Sequence, residues 1–111
     1  MLEIIVKAIN EKKGENILAI NVSESSPICD YIVLCSANNE RQLISIANSI
    51  DEELAKNNYD IKKIHGKGSK WIIVDASNII VHIFSKEERD NYNLEKMWEP
   101  FPKEDISKYL N

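Results

Sequence analysis

Apolar residues recur at helical spacing from the first residues of the chain. Leu2, Ile5, Val6 and Ile9 form one stripe, the pattern of an amphipathic helix, and Gly14 is its expected stop. Ile17–Val22 is a short apolar run containing Ile and Val and reads as a strand. The polar segment Ser23-Glu24-Ser25-Ser26-Pro27 follows as a loop. Asp30–Ser36 (DYIVLCS) is apolar on both faces, which predicts a central strand. Asn39 is placed to cap a second helix, with Gln42 at N3 approximating a capping box. Leu43, Ile44, Ala47, Ile50, Leu54 and Ala55 mark the buried face of this helix, and Asn57-Asn58 ends it. The helix is expected to cross over to a third strand around Ile61–His65.

Trp71–Asp75 and Ile79–Phe84 follow as two strands joined by a very tight turn. Arg89–Trp98 reads as a short helix or a turn-rich packing segment. Pro100 and Pro102 break it, and Ile106–Leu110 adds a last helical turn. The predicted order is α-β-β-α-β-β-β-α. This describes an α/β (α+β) fold, a mixed sheet of about five strands with helices packed on it. The 111 residues make a single domain, with a core over 1–98 and a C-terminal tail over 99–111.

Alternation along the last hairpin is the most informative pattern. A two-residue turn near Ala76-Ser77-Asn78 pairs odd positions of one strand with even positions of the next. One face then presents Ile72, Val74, Ala76, Ile79, Val81 and Ile83, and belongs against the helices. The other presents Trp71, Ile73, Asp75, Ile80, His82 and Phe84, a mixture unlike an ordinary solvent face or an ordinary core. Trp and Phe each bury about 150–250 Å² when covered, and a bare patch of that size marks a binding surface. Two readings stand open. The C-terminal segment folds back over this face with Tyr92, Leu94, Met97 and Trp98, or the face and that segment meet a partner together.

Charge narrows the partner. Fourteen Lys plus Arg stand against 18 Asp plus Glu, a net of −4, so a broad basic surface for nucleic acid is not expected. Residues 71–111 carry five cations and eight acids, which suits a basic protein partner as well as a plain solvated surface. Cys29 and Cys35 fit a reduced compartment and read as small apolar filler, too far apart along one strand to bridge. The acid at Glu3 and the lack of a charged leader argue against a signal peptide, and no run of 18 apolar residues suggests a membrane span. A cytoplasmic location is expected.

Catalytic motifs are not found. Gly66-Lys67-Gly68-Ser69 superficially resembles a phosphate loop but lacks the spacing G-x-x-x-x-G-K-[ST]. His82 and Asp75 share a face, and a His–carboxylate pair is an acid–base unit, yet no nucleophile accompanies them. G-x-S-x-G, H-E-x-x-H and G-x-G-x-x-G do not occur. With only His65 and His82, a Cys/His zinc site would need unrelated positions to converge. The expectation is a protein that is not an enzyme and uses no metal or cofactor.

Four blocks carry a family likeness. They are Asp30-Tyr31-Ile32-Val33 followed by Arg41-Gln42; Trp71-Ile72-Ile73-Val74-Asp75; Val81-His82-Ile83-Phe84; and Arg89, Tyr92, Leu94-Glu95 and Trp98. Over Ser26-Pro27 to Trp98, about two-thirds of the length, the chain resembles the ribosomal silencing factor (RsfS or Iojap) family. The resemblance implies a fold similar to nucleotidyltransferases without their activity. It implies binding to the large ribosomal subunit through the protein numbered fourteen in that subunit's series, and steric blocking of small-subunit joining when nutrients are short. Large-subunit assembly, as in organellar relatives, is the alternative. A metal-dependent nucleotidyltransferase-like activity is a weaker one, because Asp75 has no second acid two residues away.

On this reading Trp71, His82 and Phe84 give contact from the sheet, and Tyr92, Leu94 and Trp98 are anchors. Asp75, Asp90 and Glu95 meet cations of the partner, with Arg89 in the same segment. The implied partner is a ribosomal protein, with no specific nucleic-acid recognition and no membrane; self-pairing as a homodimer is a further reading. The chain departs from the family pattern at Ala37 and Ser77, where relatives often carry Gly, and at His65, where an acid often stands.

Overall fold

The structure, a computed structural model, describes residues 1–110. In chain order it runs α1 (Leu2–Glu11), β1 (Glu15–Asn21), β2 (Tyr31–Ala37), α2 (Glu40–Lys56) and β3 (Lys63–His65). Then follow β4 (Trp71–Asp75), β5 (Ile79–Ser85), α3 (Lys86–Tyr92), α4 (Leu94–Met97), β6 (Lys103–Glu104) and a 3₁₀ turn at Ser107–Tyr109. The two longest helices begin and end where local chemistry requires. After α1 it is Lys13, with φ 64°, that turns left-handed. Gly14 is needed for space instead: a Cβ there would lie 2.4 Å from Ile9 Cγ2. At the start of α2, the Asn39 side chain accepts from the Gln42 N–H at 2.8 Å. Gln42 Oε1 accepts from the Asn38 N–H at 2.7 Å, one residue earlier than a reciprocal box would have it. Its Nε2 donates to the carbonyls of Lys12 and Lys13, so the same side chain ties α2 to the end of α1.

The sheet has six strands in the order β3-β4-β5-β2-β1-β6. Only β2 and β5 are parallel; every other pairing is antiparallel. The expected crossover is therefore corrected. The chain does leave α2 for β3, but β3 lies at the edge against β4, and the parallel partner of β2 is β5. The reason is burial. Strand β3 has one apolar side chain, Ile64, between Lys63 and His65, whereas β5 is apolar enough to be covered on both faces.

Helices α1 and α2 cover one face. Val33, Cys35, Ile72, Val74, Val81 and Ile83 meet Ile5, Ile9, Leu43, Ile46, Ile50 and Leu54 there, all fully buried. The opposite face carries a smaller cluster of Ile20, Val22, Cys29, Ile32, Leu34 and Phe84 under Leu94, Trp98 and Phe101. The tail belongs to the fold. Its Lys103 and Glu104 pair with Ile20 and Ala19 as the sixth strand, and Ile106 enters the main core. Cys29 and Cys35 are free and buried; burial pushes the Cys35 thiol up to about 12. No described helix is long and apolar enough to cross a membrane.

The last hairpin has the expected register. Ala76 N–H donates to the Ile79 carbonyl at 2.9 Å around the two-residue turn Ser77-Asn78. Trp71 then pairs with Phe84, Ile73 with His82 and Asp75 with Ile80. Ser77 takes a left-handed φ of 71°, and its N–H donates to Asp75 Oδ1 at 3.0 Å.

Candidate functional site: an aromatic face of the sheet

Registers carry the hairpin alternation across the sheet. Leu18 pairs with Leu34, Leu34 with His82 and His82 with Ile73, so these side chains form one row on the face away from α1 and α2. The neighbouring row runs Ile20, Ile32, Ile80 and Asp75. Trp71 and Phe84 lie beside the first row, their ring centroids 4.9 Å apart.

The C-terminal segment folds back onto this face. Trp98 sits 5.9 Å from His82 and Tyr92 4.8 Å from Trp71, centroid to centroid. Phe84 is sealed beneath them at 1% exposure, while Trp71, His82 and Trp98 are half-buried. Tyr92 and Met97 remain exposed at 54% and 65%. The fold-back reading of the sequence holds for this segment. The segment covers the middle of the face and leaves an apolar and aromatic rim to solvent.

Arg89 explains how the segment is held. It is buried, and its Nε donates to Glu95 Oε1 at 2.6 Å. Its Nη1 donates to the Asn16 carbonyl at 2.7 Å and to Ser36 Oγ at 2.9 Å. One guanidinium thus joins β1, β2, α3 and α4. It does so around two left-handed residues, Asn16 at φ 51° beside an irregularity in β1 and Asn93 at φ 47° between α3 and α4. The planar fork of donors suits this task in a way a lysine does not.

The structure brings together Trp71, His82, Phe84, Tyr92, Leu94 and Trp98 on one face. It places Asp75 at the far end by the turn. Asp90 and Glu95 line a separate groove of about 470 Å³ with Arg89 and Asn16. Phe84 and Arg89, both expected as partner-binding residues, lie under the surface, Phe84 beneath the aromatic cluster and Arg89 behind α3 and α4. Sequence reasoning passed over a second groove beside Trp98. It measures about 360 Å³ and is lined by Ile28, Cys29, Ile32, Ile80 and Phe101, among others. The one signal was Ile28, a lone apolar residue after Pro27 in a polar loop; it is 76% exposed.

His82 and Asp75 do not form an acid–base pair. His82 Nδ1 accepts the indole N–H of Trp71 at 3.1 Å, so the ring keeps its proton on Nε2. Burial lowers the His82 pKa to about 4, and the imidazole is neutral at pH 7. Among the described residues, no three His, Cys, Asp or Glu side chains come together as metal ligands.

A small α+β domain whose chief surface feature is a partly covered aromatic face has the anatomy of a binding domain. Comparison with known proteins makes this specific. The family described as "Ribosomal silencing factor during starvation" (RsfS) matches residues 1–111. The ribosomal silencing factor of Bacillus subtilis is 35% identical over 112 aligned positions, covering 100% of this chain and 95% of that one. A crystal structure from Bacillus halodurans superposes with a TM-score of 0.83 at 32% identity, covering 94% of this chain and 95% of the other. A mouse protein named "Mitochondrial assembly of ribosomal large subunit protein 1" is 26% identical over 101 positions, 87% of this chain and 44% of its own length. The chain belongs to the ribosomal silencing factor family, whose role is ribosome-associated silencing, and its bacterial relatives are named as such factors.

Proposed function

We propose that the chain docks on the large ribosomal subunit through the subunit's protein number fourteen and excludes the small subunit by overlapping volume. It is not an enzyme on this reading, and it acts in the cytoplasm, where it meets free subunits. The observation that carries the reading is the aromatic face. Trp71, His82 and Trp98 are half-buried in one cluster, with Tyr92, Met97 and Ile28 exposed around it. Half-desolvated Trp and Tyr beside an apolar groove are the anchors from which protein interfaces draw most of their energy. The acids Asp90, Glu95 and Glu99 at the α3–α4 end suit a basic ribosomal protein.

The test is subunit joining followed on a sucrose gradient. Purified protein in excess holds large and small subunits apart, and Trp98→Ala weakens large-subunit binding by at least ~1–2 kcal/mol, the usual size of a hot-spot loss. Normal coupling of subunits in excess protein overturns the proposal. The name of the mouse relative favours a second reading, a role in large-subunit assembly. In that case depletion leaves precursor particles short of late components, whereas a pure joining block leaves the large subunit complete.

A further inference from the structure

We infer that the basic edge of the sheet, residues 62–70 with β3 at its centre, is a second contact of the docked protein and takes phosphate oxygens of ribosomal RNA beside the protein dock. The inference rests on the docking reading above.

Residues 62–70 (KKIHGKGSK) hold four lysines and no acid, while the rest of the chain carries ten cations against eighteen acids, a net of −8. Lys62, Lys63, His65, Lys67 and Lys70 are all exposed. Among the described residues the ion pairs use Lys7, Lys56, Lys86 and Arg89, and none of these four lysines. Lys67 Nζ donates to Asn48 Oδ1 at 2.8 Å, a neutral partner that steadies the ammonium without cancelling its charge. Register places the edge beside the aromatic face. Lys63 pairs with Asp75, and His65 pairs with Ile73, which in turn pairs with His82. Lys63 and His65 therefore extend the same face sideways, while Lys67 reaches round the edge to Asn48 of α2.

The face is electrically divided. Residues 86–99 carry five acids against three cations at the α3–α4 end, opposite in sign to the β3 edge. A basic protein alone fits the acidic end and is repelled by the other. A basic protein seated on RNA presents both signs, cations for Asp90 and Glu99 and phosphates for the lysines. Phosphate contacts of this kind position a protein without reading sequence. Lysines on an edge strand also guard against strand-to-strand association, and the experiment separates the two roles.

Binding of Lys63→Gln/Lys67→Gln to purified large subunits, and to isolated protein number fourteen, is measured across salt concentrations. Affinity for whole subunits falls about ten-fold at low salt, and the slope of log affinity against log salt shrinks by about two, roughly 0.9 for each phosphate no longer neutralised. Affinity for the isolated protein does not fall, since only a repulsion is removed there, and Lys63→Arg/Lys67→Arg binds both like the wild type. Unchanged affinity and slope on whole subunits overturn the inference, as does an equal loss on the isolated protein, which would make acidic side chains the target. Normal subunit binding with new self-association assigns the lysines to guarding the edge and also overturns it. If the wild type does not bind the isolated protein at all, the docking reading fails separately, and the salt slope on whole subunits still decides the RNA contact.

Discussion

The indole N–H of Trp71 donates to Nδ1 of His82 across 3.1 Å, and this bond fixes the tautomer at the middle of the aromatic face. A protonated imidazole could not accept it. Burial already holds the His82 pKa near 4, against an ordinary 6.5, so the neutral ring and the Trp71 bond support one another.

Stability therefore depends on pH in a definite direction. In the unfolded chain His82 takes a proton near pH 6.5, and in the folded chain only near 4. The folded state is favoured fully above pH 6.5, and that advantage drains away as pH falls toward 4, by roughly 3 kcal/mol at most at 1.36 kcal/mol per unit. His82→Phe flattens this part of the curve. Urea melts at pH 7, 5.5 and 4.5 on both proteins check it, and parallel curves would refute it.

Arg89→Met removes three hydrogen bonds at once and strands the buried Ser36 hydroxyl. Glu95, whose side chain is 44% exposed, regains water and softens the loss. The expected cost is about 2–3 kcal/mol by chemical denaturation. Arg89→Lys recovers only part of it, since an ammonium cannot reach all three acceptors in one plane.

Phe84 and Tyr92 lie in the same cluster and separate support from contact. Phe84→Ala opens a cavity at a site 1% exposed and costs about 3–5 kcal/mol of stability. Tyr92→Ala, at a side chain 54% exposed, leaves the melt within ~0.5 kcal/mol and lowers large-subunit affinity. A Tyr92 variant that melts early but binds normally would reverse this assignment.

Ser77 holds a left-handed φ of 71° that costs a residue with a Cβ about 1 kcal/mol. Ser77→Gly keeps the N–H bonded to Asp75 and relieves that strain, against some extra freedom in the unfolded chain. A net gain of ~0.5 kcal/mol is expected in thermal melts, and a lowered midpoint would show that the turn is not strained.

Periodicity made most of the fold legible. The α1 stripe, the Asn39 cap and the parity of the last hairpin were all visible as spacing, because each is set by neighbours within a few residues. What escaped depended on distant partners. Strand β6 is two residues between loops and exists because β1 offers a free edge to Lys103 and Glu104. The pairing of β2 with β5 rather than β3 depends on which strand can be covered on both faces. In the site, the aromatic set was legible from alternation. Alternation alone did not choose between the two readings of that face; the choice comes from the fold-back of α3 and α4 around Asn93, held by Arg89. A positive φ at an asparagine is a weak signal in a sequence already rich in asparagine.

The parallel pairing of Tyr31 with Ile79 has one more consequence. The hairpin of β1 with β2 and the meander of β3, β4 and β5 form from segments close together along the chain, but the seam between β2 and β5 waits on closure of a long loop, which slows folding. Synthesis proceeds from the N-terminus, so a nascent copy emerges with β2 lacking a neighbour on one side until β5 has been made. During that interval one edge of an apolar strand stands unpaired, the kind of edge that invites association between chains.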